Sequence, residues 1–328
     1  MKKAGLARAA TPRKRKRRAR PPGKVRTTLR KFRKRGARRS SVRQAASGPH
    51  EPDEDRYEQG YRAGYYDGGE KLLEDVLPKN AVVPDITVRE ALAAGVVPLM
   101  SRSVPLLDAG TVHGELESAM RERRPYALIR LGDGELLTLA HDVVLPSSEV
   151  LAAAPFLSYS GVDLPDPGAR EVLADAVRVA SLVGIPTSRH PHFQPLFFQV
   201  CRAYGIDPYR LRLTVSTINY QLEERGLLAP LMEGRKILIV GNAAAQLANV
   251  LSEKGLHIAG AVHPVQGMRD VSRVVREAAA FDFDLALVAA GIPAVPICVH
   301  LAGVSGKVAM DFGHLANRMA GLAPIGSG

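Results

Sequence analysis

The run Tyr126-Ala127-Leu128-Ile129-Arg130-Leu131-Gly132-Asp133-Gly134-Glu135 decides how the chain is read. Its first half, Tyr126 to Leu131, is an apolar stretch of strand length, its second half a glycine-flanked turn, and Leu136 to His141 continues as a helix. A strand without polar alternation is buried on both faces, which is the habit of parallel sheets covered by helices. The pattern repeats along the chain. Further strands are expected at Val177–Ile185, Leu213–Ile218, Lys236–Val240, His257–Val262, Asp284–Ala289 and Val308–Asp311. Helices are expected between them at Gly168–Ala176, Gln194–Tyr204, Ala244–Lys254, Asp270–Ala280 and Ala294–Leu301, and before them at Thr87–Ala94, Leu99–Leu107 and Thr111–Arg121. Residues 86–328 therefore read as an α/β domain with a mainly parallel sheet and helices on both faces.

Charge divides the chain differently. Over 328 residues, 45 Lys and Arg stand against 33 Asp and Glu, a net of +12 that suggests a nucleic-acid or anionic-surface binder. Residues 1–50 hold 20 of those basic residues and no acid, so the remaining 278 carry 25 basic and 33 acidic residues, a net of −8. Too few apolar residues and too much like charge predict a disordered basic arm over 1–56, suited to a polyanion or anionic surface or to solubility. Phe32 alone interrupts it with an aromatic ring, so base stacking is not indicated.

A period-four repeat follows in 57–85: Tyr57, Gly60, Tyr61, Gly64, Tyr65 and Gly68 precede Glu70 to Leu77. Tyrosines four apart share one helix face, while each glycine weakens the helix by about 1 kcal/mol relative to Ala. A linker helix or a homo-oligomer contact through 57–77 is the expectation, with a flexible Tyr/Gly linker as the alternative. Cys201 and Cys298 lack the spacing of a disulfide framework or a zinc site, which points to a reducing, cytoplasmic setting. The basic start has no apolar signal region after it. Leu285 to Val304 is long and uncharged enough to span a membrane, but Gly291, Pro293, Pro296 and Gly303 make it a strand, a turn and a helix, so no transmembrane segment is expected.

Ligands of parallel α/β sheets collect beyond the carboxyl ends of strands. Four such ends carry unusual residues. At the first, Asp133 and Glu135 with Gly132 and Gly134 place two carboxylates on a tight turn, suited to Mg²⁺ or Mn²⁺ carrying a diphosphate, or to stabilising a helix N-terminus. At the second, Gly241 and Asn242 open a helix whose backbone N–H groups can face an anion, but the second and third glycines of a dinucleotide fingerprint are missing, which disfavours a dehydrogenase. The third is Gly291 and Pro293. At the fourth, Asp311 and His314 are placed to reach the same crevice as Asp133. Asn219 could hydrogen-bond a base or sugar, and Ser188, Arg189, His190 and His192 could meet phosphate.

Arg130 to Glu135, R-L-G-D-G-E, resembles the R-F-G-D-G-E signature of GT-D type glycosyltransferases. Ala289 to Val299, followed by Gly306, Lys307 and Asp311 to His314, is similar to that family's closing block. The arm and the Tyr/Gly repeat resemble the N-terminal extension of bacterial GT-D fold proteins. Leu131 replaces the usual aromatic residue, and Leu315 to Arg318 lack the acidic and aromatic residues expected there. The resemblance implies a Rossmann-like domain that transfers a hexose from a UDP-sugar to an acceptor hydroxyl on a glycan or protein. It makes Asp133 and Glu135 metal-binding and catalytic, with Asp311 and His314 flanking the donor. Arg130, Gly132, Gly134, Asn219, Gly241, Asn242, Gly291 and Pro293 would contribute to donor binding. The alternative expectation is a non-catalytic nucleotide or nucleic-acid binder in which the arm makes the contacts.

Overall fold

The computed structural model describes residues 53–322, so nearly all of the basic arm lies outside the described residues. The chain divides into two compact units, one ending at Val88 and one beginning at Arg89. In the first, α1 (Asp53–Tyr65), a π-turn (Tyr66–Glu70) and α2 (Lys71–Val76) carry the Tyr/Gly repeat. The helical turn widens at Gly68 and Gly69, where the backbone is least constrained to an α-helix. Tyr57, Tyr61 and Tyr65 are exposed, and the first two rings stack with centroids 6.5 Å apart.

After α3 (Val88–Val96), the expected helix at Leu99–Leu107 is instead a 3-10 turn (Val97–Arg102) followed by extended chain. Pro98 and Pro105 account for this, since neither has an N–H to give an α-helix. α4 (Ala109–Arg121) is capped by Asp108, whose carboxylate accepts the Thr111 N–H at 2.8 Å. The strands are β1 (Tyr126–Arg130), β2 (Leu182–Ile185), β3 (Leu213–Val215), β4 (Lys236–Gly241), β5 (His257–Val262), β6 (Leu285–Ala289) and β7 (Val308–Asp311). They form one parallel sheet in the order β3-β2-β1-β7-β6-β4-β5.

Two expected boundaries move. Val177 to Val179 end the helix α7 (Pro167–Val179) and do not begin β2, because Leu173, Ala176 and Val177 continue its buried stripe. β3 stops at Val215 and Ile218 opens α9 (Ile218–Glu224). Two further short helices, α6 (Ser147–Ala153) and α10 (Leu228–Met232), carry too little periodicity to stand out in the sequence. The remaining helices are α5 (Asp133–Ala140), α8 (Gln194–Ala203), α11 (Ala244–Glu253), α12 (Val271–Ala279), α13 (Ala294–Ser305) and α14 (Leu315–Met319). The apolar run from Leu285 onward is thus β6, a turn and α13, and no helix among the described residues is long and apolar enough to cross a membrane.

Alternate residues of each strand feed two cores. Ala127, Ile129, Leu238, Val240, Ala286, Val288 and Ala309 face α5, α7, α8, α12 and α13. Tyr126, Leu128, Ile237, Ile239, Leu285, Leu287, Val308 and Met310 face α4, α9, α10, α11 and α14. This two-sided burial is what the unbroken apolar runs require. It also sets the position of the site. Beyond β1 the chain turns into α5 on one face, and beyond the adjacent β7 into α14 on the other. β6 and β4 diverge in the same way into α13 and α11. Neighbouring strands whose connections leave to opposite faces open a crevice at the carboxyl edge.

Candidate functional site

A cleft of about 910 Å³ occupies this crevice. Arg130, Gly132, Asp133, Gly134, Glu135, Asn242, Gly291, Asp311 and His314 all line it, so the four strand ends singled out in the sequence meet in one place. Asn219, Gly241 and Pro293 do not line it. Their contribution is to the frame around the cleft.

Arg130 organises the centre. Its guanidinium donates to the Asp311 carboxylate at 2.9 Å, to the Asp311 carbonyl at 3.1 Å, to the Ser216 carbonyl at 3.1 Å and to Asn219 Oδ1 at 3.4 Å. Asn219, fully buried, passes its own N–H on to the Phe312 carbonyl at 2.8 Å. One cation thus ties the ends of β1, β7 and β3 together. Gly313 follows from the same packing: its φ is +53°, and a methyl there would fall on the Arg130 guanidinium. Burial pushes the Asp311 carboxyl above the usual carboxylate range, against the opposing pull of Arg130.

The two carboxylates of the D-x-E turn have different surroundings. Glu135 Oε2 accepts the Gly132 N–H at 2.8 Å, the side-chain half of a capping box whose other half Gly132 has no side chain to supply. Burial, and after it the charge of Asp311, push the Glu135 carboxyl up to about 7. Asp133 stands in the first turn of α5, partly exposed, with Oδ1 accepting the Gly134 N–H at 2.9 Å. Both groups offer hard oxygen ligands to one cleft, which fits Mg²⁺ or Mn²⁺ in kind. Among the described residues no set of three or more His, Cys, Asp or Glu side chains stands together as a metal site, so such an ion would complete its shell with water and ligand oxygens.

Asn242 holds a loop. Its Oδ1 accepts the Val265 N–H at 2.8 Å and its Nδ2 donates to the Val265 carbonyl at 3.2 Å, fixing the β5–α12 connection whose Pro264 to Gly267 form one end of the cleft. Asn242→Ala is expected to cost about 1–2 kcal/mol, since a backbone pair loses its partner, and to speed hydrogen exchange at the Val265 amide. Unchanged exchange there would show that Asn242 does not fix the loop.

One wall was not legible in the sequence. Phe156 and Ser158 to Gly161, in the long β1–β2 connection, line the cleft. Ile292 donates its N–H to the Ser160 carbonyl at 3.1 Å and Met268 to the Gly161 carbonyl at 3.0 Å, so this wall is bonded to two other cleft loops. Ser216 and Thr217 close the β3 end. The glycine at 161 was the only local signal, and it has no chemistry of its own. Ser188, Arg189, His190 and His192 follow β2 and stand outside the cleft lining, with Arg189 donating to Gln194 at 3.0 Å and the two imidazoles packed edge to face.

A doubly wound parallel sheet with acidic and glycine turns gathered at its carboxyl edge defines the class, a Rossmann-like α/β domain. Residues 107–319, well over half of the chain, match the GT-D fold-like domain, and the chain belongs to that family of glycosyltransferase-type folds. A solved structure similar to this chain is the highly conserved domain of unknown function 1792, described as having a distinct glycosyltransferase fold. It aligns at 15% identity with a TM-score of 0.46, over 65% of this chain and 79% of that one. No curated protein matches this chain.

Proposed function

We propose that residues 86–328 form a glycosyltransferase that moves a hexose from a nucleotide sugar, UDP-linked, to an acceptor hydroxyl on a glycan or protein. The observation that carries this reading is the convergence of the D-x-E turn, Asn242, the Gly291 turn and the residues Asp311, Gly313 and His314 on one cleft in a GT-D family member. The cleft is acidic, with Asp133, Glu135 and Asp311 against Arg130 alone, so a diphosphate needs a cation to approach. Asp133 and Glu135 are the proposed holders of Mn²⁺ or Mg²⁺, which when bound supplies Lewis-acid stabilisation of the departing diphosphate.

The chain's own groups have separate tasks in this reading. Backbone N–H groups at the start of α11 face the diphosphate, where the helix N-terminus favours negative charge; at the start of α13 the Ile292, Ala294 and Val295 N–H groups are already bonded to carbonyls of the protein. His314, at the entry of α14, which packs beside α11 on the same face of the sheet, orients the diphosphate or the acceptor. Arg130 acts through Asp311 and the strand ends, keeping the carboxylates at fixed separation. The cationic arm is proposed to hold the enzyme near a polyanion or anionic surface in a cytoplasmic setting.

Two substitutions test the carboxylates. Asp133→Asn is expected to reduce Mn²⁺-dependent turnover of UDP-hexose on the order of 100-fold with the melting temperature unchanged. Glu135→Gln keeps an oxygen for the Gly132 N–H, so it should preserve stability and still weaken Mn²⁺ binding. Thermal-shift measurements with UDP-, GDP- and dTDP-sugars, with and without Mn²⁺, provide the readout. Full activity in both variants would refute the metal-binding assignment.

A further inference from the structure

Two aromatic side chains in the cleft have no structural explanation in the fold. Phe156 is 39% and Tyr159 71% exposed, and both rings line the cleft. Among the described residues neither ring has an aromatic or cation–π partner, and the Tyr159 hydroxyl has no hydrogen-bond partner. Single exposed aromatic rings are common on protein surfaces, but two on one wall of a cleft are placed to meet a ligand there.

The segment that carries them is fixed in place. Ser160 donates its N–H to the Phe156 carbonyl at 3.0 Å and Gly161 to the Ser158 carbonyl at 3.2 Å, folding the segment on itself. The Ser160 and Gly161 carbonyls then accept from Ile292 and Met268. The rings are therefore presented on a ledge whose backbone is bonded to two neighbouring loops, which lowers the ordering cost of stacking. Phe156 also adjoins the D-x-E turn: a methyl at Gly134 would lie 3.4 Å from Phe156 Cε2.

We infer that Phe156 and Tyr159 form a stacking ledge for the nucleoside base of the donor. The inference rests on the reading above, in which Asp133 and Glu135 carry the cation that receives the diphosphate. A base lies one ribose away from that diphosphate, within reach of a ledge that begins against Gly134. It also offers a π-face to both rings, which a saturated hexose does not.

Calorimetric titration of the full chain with UDP and with inorganic diphosphate, each with Mn²⁺, separates the ledge from the diphosphate site. In Phe156→Leu/Tyr159→Leu the Kd for UDP is expected to rise about tenfold or more while that for inorganic diphosphate stays within about twofold. Tyr159→Phe, which keeps the ring, should retain UDP affinity, and an unchanged melting temperature would show that the Leu variants fold. Unchanged UDP affinity in the double variant, or an equal loss for UDP and diphosphate, overturns the ledge and leaves the glycosyltransferase reading standing. A raised acceptor KM with UDP affinity intact overturns it too, reassigning the rings to the acceptor. Failure of the unaltered protein to bind either ligand would refute the function itself, and the ledge with it.

Discussion

Replacing Arg130 by Met is expected to lower the stability of the domain by about 3–5 kcal/mol, measured by urea denaturation at neutral pH. The guanidinium is 16% and the Asp311 carboxylate 5% exposed, so the pair is screened little by water. Met occupies similar volume but leaves a carboxylate, two backbone carbonyls and the Asn219 side chain without their shared donor. The cost lies in leaving that charge unpaired. For the same reason, Arg130→Met/Asp311→Leu should recover part of the loss, and a strictly additive pair of single variants would refute the coupling.

The pH dependence has a definite sign. Burial already holds the Asp311 carboxyl above the range of an unfolded chain, and removing Arg130 raises it further. A carboxyl raised on folding contributes stability at low pH that is lost as pH rises through its folded value. The deficit of Arg130→Met should therefore be smallest in acid and grow toward neutrality. A deficit independent of pH would show that removing Arg130 leaves the titration of Asp311 unchanged.

Gly241→Ala is expected to be comparably severe, at about 3 kcal/mol or more, with a fall in melting temperature of about 10 °C. Gly241 has φ at +132°, and an added methyl would fall on the Ala289 carbonyl. These two residues are register partners where β4 and β6 pair, flanked by β5 on one side and β7 on the other, so neither backbone can withdraw without breaking the ladder. A loss below about 1 kcal/mol would show that the strand ends can separate at little cost. The glycine that sequence inspection associates with an anion-binding turn is thus demanded by strand packing alone, and anion binding there needs its own test.

The comparison between sequence and structure turns on particular residues. Tyr126 to Leu131, Lys236 to Val240 and Val308 to Asp311 were legible as strands because an unbroken apolar run can be satisfied only between two helical layers. The glycine and carboxylate turns were legible as strand ends for the same local reason. Val177 to Val179 were not, because two β-branched valines at a helix end are also compatible with a strand until the stripe from Leu173 is packed. Asp311 was legible as a carboxylate at the edge of the sheet, but its ion pair spans 181 residues of chain and could not be found by spacing.

Amino-acid order alone settles the parallel α/β sheet, the acidic body beside a basic arm, and which glycine and carboxylate turns end strands, since these depend on composition and short periodicities. Strand order, by contrast, is a matter of long-range packing. Placing β7 between β1 and β6 brings Asp311 beside Arg130. It also leaves Glu135 capping a helix under the field of Asp311, and it lets the distant Phe156 to Gly161 segment close one wall of the cleft. No local signal encodes these meetings, because the groups that make them are joined only through the cores on either side of the sheet.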